Sequence, residues 1–283
     1  MLAVTSIRTT TLPSGEAVPV LGQGTWGMAE GKHPRKHEIQ ALRTGLDLGL
    51  ALIDTAEMYA DGGAEKLVGE AISGRRDQVF LVSKVLPQNA TRSGTANACE
   101  KSLRRLKTDH LDLYLLHWRQ RTPLEETVRA FEGLLHAGKI RYWGVSNFDV
   151  SDMKEVQSLT GGEAVATDQV LYNLTRRGIE YDLLPWCRHH GIPSMAYSPI
   201  EQGRLLESVS LRKIAQHHGA TPAQVALAWV LRQEKVIAIP RAGTSEHALQ
   251  NRGALDVAIT REDLATLDRE FPPPSAPQPL EML

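Results

Sequence analysis

Side chains with complementary chemistry fall just beyond the short apolar runs of this chain. Leu50-Ala51-Leu52-Ile53 is followed by Asp54 and then Tyr59, Val79-Phe80-Leu81-Val82 by Ser83 and Lys84, and the run Leu111 to Leu116 by His117 and Trp118. Later runs lead to Ser146 and Asn147, to Asp168 and Gln169, and to Tyr197 and Ser198. A carboxylate, a phenol, an ammonium and an imidazole together suit one reaction: a tyrosine protonates a carbonyl oxygen while a hydride arrives from a cofactor. A free phenol, with a pKa near ~10, donates poorly at neutral pH, and lowering that by about three units takes roughly 4 kcal/mol. An ammonium about 4 Å away supplies on the order of 4 kcal/mol at an effective dielectric of 20. Lys84 is therefore expected to acidify Tyr59. Asp54 would hold Lys84 charged and aimed while offsetting part of its field, and a neutral His117 would orient the carbonyl. Taken singly, each residue has a plainer explanation, since a strand-end Lys or Asp is ordinarily solvated or ion-paired and a buried His ordinarily belongs to a core. The weight comes from all four standing in strand-end order.

The elements that must position them follow from patterning. The runs above, with Val18 to Thr25, Ile140 to Val145, Ala164 to Val170, Ile192 to Tyr197 and Val236 to Ile239, give eight candidate strands, most of them one strand–helix unit apart. Amphipathic spacing fills the gaps: Ala64, Leu67, Val68, Ala71 and Ile72; Cys99, Leu103 and Leu106; Leu124, Val128, Phe131, Leu134 and Leu135. Thr221-Pro222 reads as an N-cap with proline in the first turn, opening a helix through Leu231 that is apolar nearly all round and so buried. Continuous apolar strands joined by crossover helices imply a parallel sheet with a covered outer face. Eight such units fit an α/β architecture, a single (β/α)8 TIM barrel over residues 1–283, better than an open sheet. Thr10 to Val20, around Pro13-Ser14-Gly15, reads as an N-terminal β-hairpin. The tail from Phe271 is proline-rich, so it is either a fraying end or a C-terminal loop near the active-site mouth.

Composition narrows the class. In 283 residues, Lys+Arg number 32 against Asp+Glu 33, a net charge of −1, so no basic field exists to hold nucleic acid or an anionic membrane. No apolar run reaches transmembrane length and the N-terminus lacks a signal-peptide pattern. Two cysteines, Cys99 and Cys187, are too few for a disulfide framework or a metal cage, so a reduced, cytoplasmic protein is expected.

The segments Asp54-Thr-Ala-Glu-Met-Tyr59, Val82-Ser-Lys84, Leu111-Asp-Leu-Tyr-Leu-Leu-His117, Gly138-Lys-Ile-Arg-Tyr-Trp-Gly-Val-Ser-Asn147 and Ile239-Pro-Arg resemble the aldo-keto reductase family. The resemblance runs from about Leu21 to Asn251. Asp54 to Gly63, with the short loop after His117, looks most like its bacterial methylglyoxal-reductase branch, near the 2,5-diketo-gluconate reductases. The resemblance implies a (β/α)8 barrel that reduces aldehydes and ketones with NADPH and without metal, using Asp54, Tyr59, Lys84 and His117 as its catalytic tetrad. It implies that Ser146, Asn147 and Gln169 hold the nicotinamide carboxamide and that Tyr197 stacks on the ring, which suits the donors and acceptors of amides and a flat aromatic face. Ser198, Leu205 and Leu206 would follow the pyrophosphate and ribose. Gly24, Thr25 and Trp26 would sit at the mouth of the first strand, and Ile239, Pro240, Arg241, Thr244, His247, Gln250 and Asn251 toward the adenosine end. Trp26, Met58, Tyr59, His117 and Trp118 would line the substrate pocket.

Where relatives commonly carry a lysine, a serine and an arginine, this chain has Arg241, Ala242 and His247. Arg241 can still pair with a 2′-phosphate, whereas His247 is a weak phosphate partner at neutral pH. A reduced preference for NADPH over NADH is therefore expected. The partner is a small carbonyl compound, including 2-oxoaldehydes, and the chain is expected to be a monomer or weak homo-oligomer. Two alternatives remain: a class I aldolase with Lys84 as the Schiff-base former, and a non-catalytic nucleotide-binding redox regulator of the same fold.

Other signals carry less. Gly22-Gln-Gly-Thr-Trp-Gly27 matches G-x-G-x-x-G, but Gly31 and Pro34 forbid the helix a Rossmann turn requires. His189-His190 and His217-His218 are adjacent pairs before glycine and read as helix C-termini rather than metal ligands. Arg119 and Arg121 would bias the pocket toward anionic substrates only if they face it; solvated loop charges are the simpler reading. Trp143, Trp186 and Trp229 read as packing.

Overall fold

A computed structural model describes residues 7–283; Met1 to Ser6, where the signal-peptide reading falls, lie outside the described residues. The chain opens with β1 (Thr9–Thr11) and β2 (Ala17–Pro19), an antiparallel hairpin turned at Gly15, whose φ of 89° needs glycine. Strands and helices then alternate: β3 (Gln23–Gly24), α1 (Arg35–Asp47), β4 (Leu52–Asp54), α2 (Gly63–Ala71), β5 (Phe80–Val85), α3 (Arg92–Leu106), β6 (Leu111–Leu116), α4 (Leu124–His136), β7 (Ile140–Ser146), α5 (Val150–Ser158), β8 (Val165–Leu171), α6 (Leu183–His189) and β9 (Ser194–Tyr197). Two helices, α7 (Val209–His218) and α8 (Pro222–Leu231), precede β10 (Val236–Ala238), and α9 (Ser245–Gly253) and α10 (Arg261–Glu270) follow it.

Strands β3 to β10 pair in parallel in sequence order. Parallel bridges Leu21–Ala238 and Gly24–Arg241 join the first strand to the last, with Gly22 N donating to Ala238 O at 2.9 Å and Gly24 N to Pro240 O at 3.0 Å. The eight strands thus close into a (β/α)8 barrel. The first strand is far shorter than the expected Val18 to Thr25. Val18 belongs to the hairpin instead, and its side chain, with that of Leu12, joins the apolar interior of the barrel. A Cβ on Gly24 would stand 2.5 Å from the carbonyl oxygen of Ile239, so glycine is required where the barrel seam closes.

Two apolar layers explain why the strands are apolar on both faces. Leu52, Val82, Leu113, Leu115, Met195 and Ile237 fill the barrel interior, while a larger cluster including Leu81, Leu116, Trp143, Phe131 and Val230 packs sheet against helices. Side chains alternate along a strand, so the residues two beyond the inner layer face the same axis at the open end: Asp54 after Leu52, Lys84 after Val82, His117 after Leu115, Tyr197 after Met195. On β8 the alternation is broken. Val165 pairs with Trp143 but Asp168 with Val145, so β8 carries one residue more than its partner. The bulge turns Gln169 inward, where its amide reaches Met195 Sδ and Asp54, and leaves Asp168 buried on the other face.

Local signals account for the helix starts. Thr221 and Gln224 form a capping box around Pro222, and Val225 to Leu231 are all buried, as the sequence pattern requires. Both histidine pairs close helices, α6 and α7, and His218 hydrogen-bonds Asp263 at 2.8 Å. Gly22 to Gly27 spans β3 and a turn, and α1 starts only at Arg35. The tail folds back over the barrel mouth: Glu281 pairs with Arg176, and Leu283 N lies 3.4 Å from the Tyr197 hydroxyl. Among the described residues no helix is long and apolar enough to cross a membrane.

Candidate active site

Asp54, Tyr59, Lys84 and His117 meet at the C-terminal mouth of the barrel. Lys84 is fully buried and all three of its N–H groups are used: on Asp54 Oδ2 at 2.7 Å, the Thr55 carbonyl at 2.8 Å and the Tyr59 hydroxyl oxygen at 3.1 Å. Because Tyr59 accepts from Lys84, its own proton is free to point elsewhere. The second oxygen of Asp54 accepts from Gln169 Nε2 at 2.8 Å. The Tyr59 ring meets the His117 ring edge-on, with centroids 5.8 Å apart. Tyr59 is carried by a tight loop after β4, in which Ala60 and Asp61 take left-handed φ values of 50°.

The electrostatics differ from the expectation drawn from the sequence. Burial, and then the charge of Asp54, push the Tyr59 phenol well above its ordinary value. Lys84 therefore does not make the resting phenol acidic, because Asp54 neutralises the ammonium that would do so. Burial lowers the Lys84 pKa, opposed by Asp54. His117 is pushed down to about 2 by burial and then by Lys84, so it is neutral throughout the working range, and its Nδ1 is buried without a partner. The chemistry this arrangement supports is proton donation from a neutral phenol, with the ammonium stabilising phenolate charge only as it develops.

A cleft of about 510 Å³ joins Asp54, Tyr59 and His117 to the seam of the barrel. Gly24, Trp26, Met58, His117, Trp118, Ser146, Asn147, Gln169, Tyr197 and Ser198 line one part of it, and Ile239, Pro240, Arg241, His247, Gln250 and Asn251 the other. Their mutual bonds hold the polar group in place: Ser146 Oγ donates to Gln169 O at 2.7 Å, Asn147 Nδ2 to His117 O at 3.1 Å, and the Tyr197 hydroxyl to Asn147 Oδ1 at 2.9 Å. Asn147 sits at a left-handed φ of 60°, which turns its amide back over the barrel.

Three residues expected at the cofactor do not line this cleft. Thr25 is buried and its hydroxyl donates to Asp54 O at 3.0 Å; alternation places it on the opposite side from Gly24 and Trp26. Leu205 is buried in the core while Leu206 lines the cleft, since neighbours on a 3₁₀ turn diverge by about a third of a turn. Thr244 caps α9 through His247 N at 3.2 Å. Arg119 points away, to Asp152 and Glu155 of α5. Pattern reading missed Gly27, Lys32, Pro199, Ile200, Gln202, Gly203, Ala223, Met282 and Leu283, all of which line the cleft. Most lie on irregular segments with no periodicity to read; the proline-rich tail was the one available hint for the last two.

The geometry disfavours both alternatives. A Schiff-base lysine needs a free electron pair, and Lys84 is a triple donor. A non-catalytic nucleotide-binding regulator has no need of the complete set of Asp54, Tyr59, Lys84 and His117 gathered at one point, which is what the barrel mouth holds.

Comparison with known proteins shows the family. The sequence model of the aldo/keto reductase family matches residues 20–270. The chain is 55% identical to methylglyoxal reductase YeaE of Escherichia coli over 272 residues, covering 94% of this chain and 96% of that protein. It is 35% identical to glyoxal reductase of Bacillus subtilis, over 93% of each chain. Among solved structures, an aldo/keto reductase from Klebsiella pneumoniae in complex with NADP and acetate superposes with a TM-score of 0.95 at 52% identity, covering 98% of this chain and 100% of that one. This chain belongs to the aldo/keto reductase family.

Proposed function

We propose that this protein is an NADPH-dependent reductase of aldehydes and ketones, acting on small aldehydes and 2-oxoaldehydes such as methylglyoxal. The observation that carries the reading is the donor pattern at Lys84. Its bond to the Tyr59 oxygen leaves the phenol proton for a substrate, and it stands 3.1 Å from the charge that appears when that proton leaves. The Asp54 carboxylate beside the ammonium offsets part of its attraction for that charge, so Lys84 supports the developing charge without acidifying the resting phenol.

The residues fit the cofactor. Amide side chains and an aromatic face lie beside the tetrad, and cationic groups lie at the far end of the same cleft, as the carboxamide, ring and phosphates of a dinucleotide require. When bound, the nicotinamide supplies the hydride. Ser146, Asn147 and Gln169 would hold its carboxamide and Tyr197 its ring; Arg241, His247, Gln250 and Asn251 would receive the adenosine end. On the substrate side, neutral His117 orients the carbonyl oxygen toward Tyr59, which donates its proton. Trp26, Met58 and Trp118 give the substrate an apolar wall.

The reading also takes residues 1–283 as one domain working as a monomer or weak homo-oligomer in the cytoplasm. Supporting it, all four tetrad residues come from one chain and both cysteines are free thiols. Steady-state rates with methylglyoxal, phenylglyoxal and simple aldehydes, followed by loss of NADPH absorbance, test the function. Turnover of several small carbonyls is expected. No carbonyl-dependent NADPH oxidation across the panel would reject it.

A further inference from the structure

We propose that Lys32 is a second cation for the 2′-phosphate of the cofactor, acting with Arg241. The inference rests on the NADPH reading above and adds a residue that no motif identified. Gly27 follows the first strand at a left-handed φ of 77°, and a Cβ built on it would stand 3.4 Å from Arg241 Nη1 and 3.7 Å from Lys32 Nζ. Two cations from opposite sides of the seam therefore converge on one point of the cleft wall. Arg241 Nη1 donates to Gly27 O at 3.1 Å, which ties the two segments together.

The charges at this point do not balance. Among the described residues no carboxylate lies within ion-pair distance of Arg241, and Lys32 has only Glu30, at 3.3 Å on the exposed surface. Like charges held close are unfavourable unless an anion lies between them. The placement is not that of a loose surface lysine. The His33 ring packs so closely on the backbone at Gly243 that a Cβ there would stand 2.7 Å from it, and Ala29 N donates to buried Glu38 at 3.0 Å. The segment carrying Lys32 is thus fixed against the segment carrying Arg241 and His247. A phosphate monoester, close to dianionic at neutral pH, matches two cations. Lys32 takes up the charge that His247 leaves unmet, and the reduced NADPH preference expected from Arg241 and His247 alone is restored in part.

Binding of NADP+ and of NAD+ is measured by calorimetry for the wild type, Lys32→Ala and Lys32→Arg, at low and high salt. Lys32→Ala is expected to weaken NADP+ by roughly fivefold, the scale of a solvent-exposed charge pair, with NAD+ changed by less than about twofold. Lys32→Arg should bind NADP+ as the wild type does, and the gap between wild type and Lys32→Ala should narrow as salt rises. Equal weakening of NADP+ and NAD+, or unchanged NADP+ affinity in Lys32→Ala, overturns the assignment while leaving the cofactor reading intact. A wild type that binds no NADP+ overturns both.

Discussion

Gln169 donates to Asp54 across the barrel at 2.8 Å, from the side opposite Lys84. The carboxylate that holds the Lys84 ammonium is therefore itself held by Gln169, the residue proposed to bind the cofactor. Replacing Gln169 with Leu removes a hydrogen bond to a charged group, worth about 1.5–3 kcal/mol. We expect kcat to fall by roughly tenfold or more, in addition to a raised KM for NADPH. Unchanged kcat with only the cofactor KM raised would confine Gln169 to binding.

Tyr59→Phe keeps the ring but loses the hydroxyl proposed to donate the proton. Turnover should fall on the order of 10²- to 10⁴-fold while NADPH still binds. Retention of more than a tenth of wild-type kcat would show that another group delivers the proton.

The pH profile follows from the two groups facing the substrate. His117, held to about 2 by burial, does not titrate in the working range. Tyr59 is active when protonated, and burial raises its pKa, so the acid form persists to higher pH than that of a free tyrosine. Carbonyl reduction should be flat in kcat/KM from about pH 6 to about pH 9. An inflection near the ordinary histidine value that vanishes in His117→Gln would contradict the buried, neutral imidazole.

Asp168 is a stability liability outside the chemistry. Burial pushes its carboxyl well above the usual carboxylate range; the nearby Phe148 N–H offsets only part of this, and neither oxygen makes a full hydrogen bond. A raised pKa means the folded state binds the proton more tightly than the unfolded state does. Stability therefore falls as pH rises from the unfolded carboxylate value toward the folded one, by up to about 1.4 kcal/mol per pH unit for one proton. Urea unfolding across that window should show the slope in the wild type and lose it in Asp168→Asn. Parallel pH dependences would place the proton elsewhere.

The sequence by itself determined the repeat of strand and helix and the candidacy of Asp54, Lys84 and His117, because each falls at or just past the end of an apolar run, with Tyr59 five positions beyond Asp54. It also determined local helix starts such as Thr221-Pro222, where capping is a matter of neighbours. Tertiary structure alone decided the rest. Gln169 rather than Asp168 faces the site because of a bulge that depends on pairing between β7 and β8. Lys32 and Arg241, 209 positions apart in sequence, both reach the cleft wall at Gly27 because the barrel closes through backbone approach at Gly24. The direction of the Tyr59 shift was likewise not legible: spacing gives proximity of charges, but burial and the distance from Asp54 set which effect wins, and both are properties of the packed molecule.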